Sequence, residues 1–341
     1  EKFALDSALS IGEFADETAA TFKVAWDNLN VSYDRFIRTT DADHIKVVED
    51  FVTKIKENGY LYEADYEGLY CVGHEAFLTE KDLVDSVCPD HKVAPEQKKK
   101  KNWFFKVSAF TDTIKQKIEN DEFVIYPEHS KNEILAMLKE GFNDIAASRP
   151  NVQWGIPLPW DTTQTIYVWV DALINYVTGA TNLEGKNYWP ADAHVVGPDI
   201  AKFHCIIWPA LLLAADLEIP KSVRIHGFLT AGNQKISKST GNIIDPNDWV
   251  EKYGADAVRY FLMREVSFDS HGDVSEEKLR ARYDGELANG LGNLVSRITT
   301  LVEKFLDGEI PRGTVPDQAF YPENIATLIE GYKFHEALAE I

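Results

Sequence analysis

Only three of the 341 residues are cysteine, too few for a disulfide scaffold, so a reducing, cytoplasmic setting is the simpler expectation. Basic residues are also short: 35 Lys plus Arg stand against 55 Asp plus Glu, a formal charge of −20. With that balance, contact with a nucleic acid would have to run through local patches rather than a chain-wide basic surface. No run approaches the roughly 18 consecutive apolar residues of a spanning helix. The longest candidate, Cys205 to Ala215, is short and closed by Asp216, so no membrane partner is expected. There is no internal repeat, no low-complexity tract, and no Ser/His/Asp or paired-carboxylate arrangement. The opening Glu1-Lys2-Phe3-Ala4 lacks an initiator Met, is unlike a signal peptide and reads like the middle of a helix, so a fragment of a longer chain is expected. What is present is ordinary for a globular protein: 45% hydrophobic and 26% charged residues, with length for two or three domains.

Apolar spacing predicts a helix over 13–29 and a clearer one over 43–58, where Ile45, Val48, Phe51, Val52 and Ile55 share a face and Gly59 stands to cap it. Short aromatic, extended pieces broken by Gly68 follow over 60–70 and mark the start of an inserted module. Two helices are expected near 109–120 and 131–141. Residues 165–170, rich in β-branched and aromatic side chains, read as a strand, and 192–197 as another that ends in Gly197-Pro198-Asp199. A helix over 200–215 and a strand over 222–229 come next, and this β-α-β succession with apolar strands predicts a parallel sheet covered by helices. A polar loop at 232–241, a helix over 248–264 and a long helix over 275–307, with Asp273 and Glu276 as a capping box, precede a Pro/Gly-rich break at 308–316 and a last helix from about 323.

Three constellations could carry chemistry. Cys71-Val-Gly-His74 and Cys88-Pro-Asp-His91 are two equally spaced pairs whose thiolates and imidazoles suit one tetrahedral zinc ion. The same residues also fit two core cysteines and two surface histidines. Lys235-Ile-Ser-Lys238-Ser239, followed by Thr240-Gly-Asn242, places two lysines three apart in a Gly/Ser-bounded loop able to grip a polyphosphate. It lacks the glycine run of a P-loop, and Lys/Ser-rich loops are common on any surface. Gly197-Pro-Asp199 lies where a predicted strand enters a helix, the ligand side of an open α/β sheet, where an Asp can take ribose hydroxyls. His204 and Trp208 then share one helix face, read singly as packing residues. Lys98 to Lys101 reads as a solvated face, with contact to a phosphate backbone as the alternative, and Cys205 as core.

The Lys235 to Ser239 loop closely resembles the lysine-serine signature of class I aminoacyl-tRNA synthetases, with Ile236 where Met is usual. Tyr167-Val-Trp169-Val-Asp171-Ala172-Leu173, His194-Val-Val-Gly197-Pro-Asp199-Ile200, Phe203-His204 to Trp208-Pro209 and His226-Gly-Phe-Leu-Thr230 narrow the resemblance to the methionyl-tRNA synthetase family. Phe36 to Thr40 and Asn102 to Phe105 also match family blocks, so the likeness covers nearly the whole chain. It implies ATP-dependent activation of methionine to methionyl-adenylate and transfer of the methionyl group to tRNA(Met), with Mg²⁺ accompanying ATP.

Carried over by position, Lys235 and Lys238 contact the triphosphate, Gly197 and Asp199 the ribose, and the backbone at His226 and Gly227 the adenine. Arg149 resembles a mobile arginine near the reacting groups. Trp169, Ala172, Leu173, Tyr176, Ile200 and His204 resemble the methionine pocket. Cys71, His74, Cys88 and His91 resemble the connective-peptide knuckle, with His74 where Cys is usual and one Zn²⁺ at most.

The implied fold class is α/β. A Rossmann-like class I catalytic core occupies 1–55 and 148–232, a connective-peptide module 56–147, the signature-loop region 233–274, and the start of an anticodon-binding helical bundle 275–341. The family's first strand and histidine signature would precede Glu1. The core is therefore expected to be incomplete, completed by a segment in cis or by a separate chain, and this polypeptide alone is expected to be inactive or nearly so. The competing readings are another class I synthetase and a non-catalytic tRNA-binding remnant.

Overall fold

The computed structural model describes residues 4, 6–71, 76–78, 83, 86–88, 93–150, 152, 154–181, 184–232, 234–236, 244–310 and 324–341, with the backbone alone at 66–68, 70–71, 76–78, 97–100 and 234–235. Helix α1 (Ile11–Asn28) starts at a full capping box, the Ser10 hydroxyl accepting from the Glu13 N–H and the Glu13 carboxylate accepting from the Ser10 N–H. Helix α2 (Ala42–Glu57) buries His44, Val48, Phe51, Val52 and Ile55, and Gly59 follows it at φ +79°, the left-handed position that glycine fills without a Cβ penalty.

The stretch expected to be broken at Gly68 is one continuous strand, β1 (Leu61–Cys71), paired antiparallel with β2 (Ala76–Leu78) and with β3 (Glu96–Phe105). Ten consecutive residue pairs with β3 hold Gly68 in line, which outweighs its weak intrinsic strand preference. The lysine run lies in β3, and Lys101 donates to Glu63 at 2.7 Å.

Helix α3 (Thr111–Glu119), strand β4 (Val124–Tyr126) and helix α4 (Glu128–Glu140) follow, α4 starting three residues before the expected position. The short strand β5 (Ile145–Ala146) adds to β3. Strands β6 (Ser148–Pro150), β7 (Pro157–Leu158) and β8 (Asp161–Ile166) form a small antiparallel sheet in the order β6-β8-β7.

The strand expected over 165–170 is corrected. β8 ends at Ile166, and Val168 to Val170 open helix α5 (Val168–Ala180). The β-branched residues raised the strand reading, but Val170, Leu173, Ile174 and Val177 fall at helical spacing and bury one face. Strand β9 (His194–Val196) leads through a 3₁₀ turn (Pro198–Ile200) and a π-helical turn (Phe203–Ile207) into α6 (Trp208–Ala214), then strand β10 (Ser222–Ile225). The helix expected over 200–215 is thus wound in three ways, and the strand expected over 222–229 stops at Ile225. β10 sits between β4 and β9, parallel to both, which is the predicted β-α-β arrangement extended by β4.

Strand β11 (Leu229–Ala231) pairs with β12 (Gln234–Lys235), so the expected polar loop begins with a strand pair, and also with β13 (Gly272–Asp273). The helix expected over 248–264 is two helices, α7 (Pro246–Tyr253) and α8 (Ala255–Glu265), separated by Gly254 at φ +81°. Helix α9 (Glu276–Arg282) is capped by Ser275, whose hydroxyl accepts from the Lys278 N–H, rather than by Asp273. A π-helical segment (Tyr283–Gly292) continues it into α10 (Asn293–Leu306). The last helix is likewise two, α11 (Ile325–Glu330) and α12 (Phe334–Glu340).

The chain divides into two compact units, Arg35–Ile225 and Glu1–Asp34 with His226–Ile341. The first holds the parallel sheet and a large core in which Trp208, Ile206, Leu212 and Val223 are completely buried. The second has a smaller core of Trp249, Val258, Phe261, Val274 and Leu279. No described helix is long and apolar enough to cross a membrane.

Close backbone approach at Gly227 joins the segments that lead into β11 and β13: its N–H donates to Phe268 O at 2.9 Å, and a Cβ there would lie 1.8 Å from Ser270 O. Backbone cannot yield as a side chain does. Gly227→Ala is expected to lower stability by about 1–3 kcal/mol in thermal or urea unfolding, as overpacking does, and an unchanged midpoint would contradict this packing.

Candidate active site

The carboxyl end of β9 is where the parallel sheet meets residues with chemistry. Gly197 directly follows the strand and caps the Pro198–Ile200 turn, which carries an exposed Asp199 and a partly buried Ile200. Ligands of open α/β sheets bind at this edge because the strands stop and helix N-termini begin there.

The π-helical turn beyond it brings His204 back over Ile200. Nδ1 of His204 donates to Ile200 O at 3.0 Å, which leaves Nε2 to accept from the Tyr176 hydroxyl at 2.8 Å. Tyr176 belongs to α5, so this pair ties that helix to the segment after β9. Trp169, on the same helix, stacks on Phe203 with ring centroids 4.2 Å apart and planes 15° from parallel. Ala172 lies one turn on from Trp169, and Leu173 is in the core at 1% exposure. Ring contacts and hydrogen bonds thus join Trp169 and Tyr176 of one helix to the segment carrying Ile200, Phe203 and His204, with Leu173 in the core and the half-buried Ala172 on the same helix.

Behind this cluster stands a layer the sequence did not reveal. His194 packs on Tyr176 at 4.1 Å, its Nε2 accepting from the Trp208 indole N–H at 3.2 Å, and Trp189 contacts both His194 and Trp208. Burial dominates the acid-base behaviour here. It holds His194 down to about 3, with His204 adding to the effect; it lowers His204, opposed by the Ile200 hydrogen bond; and it pushes Tyr176 up to about 12. At neutral pH the cluster is aromatic, hydrogen-bonded and uncharged. Cys205 is fully buried and its thiol is pushed up by desolvation, so it is core as expected.

Arg149, in β6, lies with its guanidinium 4.0 Å from the Tyr167 ring centroid and donates to Ser148 O at 3.0 Å. It borders a cavity of about 560 Å³ whose lining includes Thr39, Thr40, Trp154 and Tyr167. On the other side of α5, His44 is completely buried between Asp171 and Thr178, at 2.8 and 3.0 Å. The hydrogen-bond partners of His194 and His44 lie between 14 and 134 positions away in the chain.

His226 and Gly227 lie in the second unit, where His226 Nδ1 donates to Gly227 O at 2.8 Å. Lys235 is described by its backbone, paired with Thr230. Lys238 and the rest of 237–243 lie outside the described residues, as do His74, His91 and the Cys71 side chain. Cys88 is buried, its N–H donating to Val93 O at 2.9 Å. Among the described residues no cluster of three or more His, Cys, Asp or Glu side chains could hold a metal ion.

Comparison with known proteins gives a consistent result. The family model described as "tRNA synthetases class I (M)" matches residues 2–98 and 80–299. The methionine–tRNA ligase of Caldanaerobacter subterraneus subsp. tengcongensis is 40% identical over 355 residues, covering all of this chain and 56% of that protein. The methionine–tRNA ligase of Thermotoga maritima is 40% identical over 346 residues, covering 96% and 55%. The chain thus spans about half the length of these relatives. Among solved structures, the Mycobacterium tuberculosis methionyl-tRNA synthetase bound by methionyl-adenylate superposes with a TM-score of 0.84 at 36% identity, covering 99% of this chain and 70% of that one. Its free state gives 0.78 at 34%.

The neutral cluster has a consequence for stability. An unfolded His titrates near 6.5 and folded His194 near 3, so between these values the unfolded chain binds more protons and stability falls as pH drops. From pH 7 to pH 5 the loss from His194 alone is expected to be about 2 kcal/mol, read by urea unfolding with tryptophan fluorescence. His194→Gln should flatten that dependence; an identical pH profile in the variant would contradict the assignment.

Proposed function

The chain belongs to the class I (M) tRNA synthetases, and on that premise we propose that it is part of an enzyme that joins methionine to ATP as methionyl-adenylate and then charges tRNA(Met). The observation that carries the proposal is the uncharged aromatic cluster at the carboxyl end of β9, built from Trp169, Tyr176, Ile200 and His204.

Methionine has an unbranched, uncharged side chain whose thioether is a weak acceptor, so recognition must come from shape and sulfur-aromatic contact, each worth about 0.3–1.5 kcal/mol. A histidine with both nitrogens committed, one to Ile200 and one to Tyr176, offers neither charge nor a spare strong donor to a competing polar side chain. Trp169, Ala172, Leu173, Tyr176, Ile200 and His204 take the methionine side chain in this reading.

The ribose of ATP is assigned to Gly197 and Asp199, and the adenine to the backbone at His226 and Gly227. Lys235 and Lys238 hold the triphosphate, which enters as its Mg²⁺ complex. The methionine carboxylate attacks the α-phosphorus and pyrophosphate leaves, its growing charge met by the two lysines. A ribose hydroxyl at the tRNA terminus then attacks the methionyl carbonyl and AMP leaves. Arg149, which stacks over Tyr167, is assigned to steady charge near the reacting groups. The donor set Cys71, His74, Cys88 and His91 supports one structural Zn²⁺, and the few cysteines a cytoplasmic location.

The test is methionine-dependent pyrophosphate exchange by the full-length protein. Lys235→Ala and Lys238→Ala should each lower kcat by about 10²–10³-fold while methionine KM changes by less than about 3-fold, because the lysines act on charge that develops as pyrophosphate leaves. A wild-type protein that binds tRNA yet catalyses no exchange would overturn the enzyme reading in favour of a tRNA-binding remnant.

A further inference from the structure

We propose that His44 is a positioning residue for methionine recognition: one buried imidazole grips α5 at two points about two turns apart and sets the roll of that helix about its axis. The inference rests on the reading of α5 as the methionine wall. Nε2 of His44 lies 2.8 Å from Asp171 Oδ1 and Nδ1 lies 3.0 Å from Thr178 Oγ1, with all three residues at 6% exposure or less.

Asp171 and Thr178 are seven residues apart. At about 100° per residue they project within about 20° of each other, on one side of the helix. Trp169, Ala172 and Tyr176 fall within an arc of about 60° centred roughly 140° further round. The grip and the wall therefore occupy different faces of one rigid element, and His44 has no need to approach a ligand to govern where the wall stands. A neighbouring contact braces the same end of the helix: Arg35 donates to Thr178 O at 3.2 Å and pairs with Asp43, the residue before His44, at 2.6 Å.

Fixing the roll matters because a rotation of about 10° moves groups at the helix's outer radius of about 5–6 Å by about 1 Å. Displacements of that size cost up to about 10²-fold in enzyme sites. Tyr176, tied to His204 by a single hydrogen bond, would carry that error straight into the aromatic cluster. Packing alone is a weaker brake on roll than two hydrogen bonds to one ring, because apolar side chains slide past one another while a hydrogen bond weakens steeply off its axis.

The experiment compares His44→Ala, Thr178→Val and Asp171→Asn in the full-length protein, measuring pyrophosphate exchange and the thermal midpoint. His44→Ala should raise methionine KM by about tenfold or more with ATP KM within about twofold. Thr178→Val, which loses one tether and keeps its shape, should give a smaller rise in the same direction. Asp171→Asn keeps an oxygen acceptor for Nε2–H and should stay close to wild type. Lower thermal midpoints with unchanged methionine KM in both His44→Ala and Thr178→Val would reduce His44 to a fold residue and overturn the proposal. A parallel rise in KM for both substrates would overturn it equally. Wild-type protein without methionine-dependent exchange would instead sink the reading of α5 as a methionine wall.

Discussion

The hydrogen bond from the Tyr176 hydroxyl to Nε2 of His204 joins helix α5 to the segment after β9, and with the His204 Nδ1–H donating to Ile200 O it commits both imidazole nitrogens. A buried polar ring left half satisfied would cost the full desolvation penalty of the unmade bond, about 1–3 kcal/mol. Satisfied on both sides, it becomes a neutral, oriented surface. Desolvation reinforces the same state by holding His194 and His204 down and Tyr176 up. The cluster's lack of charge follows from burial and hydrogen bonding together, and that lack of charge is the ground on which an uncharged thioether side chain is proposed as its ligand.

The fold supplies the place. A parallel sheet ends at Val196, and the chain leaves it through a 3₁₀ turn and a π turn before regular helix resumes at Trp208. π turns are rare and frequently mark functional sites, because the extra residue re-aims the side chains around it. Here the π turn carries Phe203 onto Trp169 and His204 onto Tyr176. The helix beyond is apolar on every side and buried except at the half-buried Leu213, so the turn is held from behind by core.

How much of this could be read from sequence depends on the range of the interactions. Helix α2 was legible because Val48, Phe51, Val52 and Ile55 repeat at helical spacing and Gly59 closes it. The β9 to β10 crossover was legible because apolar strands bracketed a helix. Val168 to Val170 misled because β-branched and aromatic residues favour strands locally, whereas packing of Leu173, Ile174 and Val177 decided the outcome. Two glycines reversed the local reading: the helix expected to run through Gly254 is divided there at positive φ, and Gly68, expected to break an extended stretch, is held in a ten-pair ladder. The candidate pocket came from resemblance rather than from spacing, since His204 read alone was a packing residue. His44 and His194 stayed hidden because their partners are brought near only by tertiary folding.

The most direct test of the central claim is calorimetric titration of the full-length protein with non-hydrolysable aminoacyl-adenylate mimics differing only in the amino-acid side chain. A neutral aromatic slot shaped for an unbranched thioether should bind the methionyl mimic about 10–200-fold more tightly than the leucyl or valyl ones, the range a hydrophobic pocket can achieve. Equal affinity across the series, or tightest binding of a mimic with a charged side chain, would contradict the account.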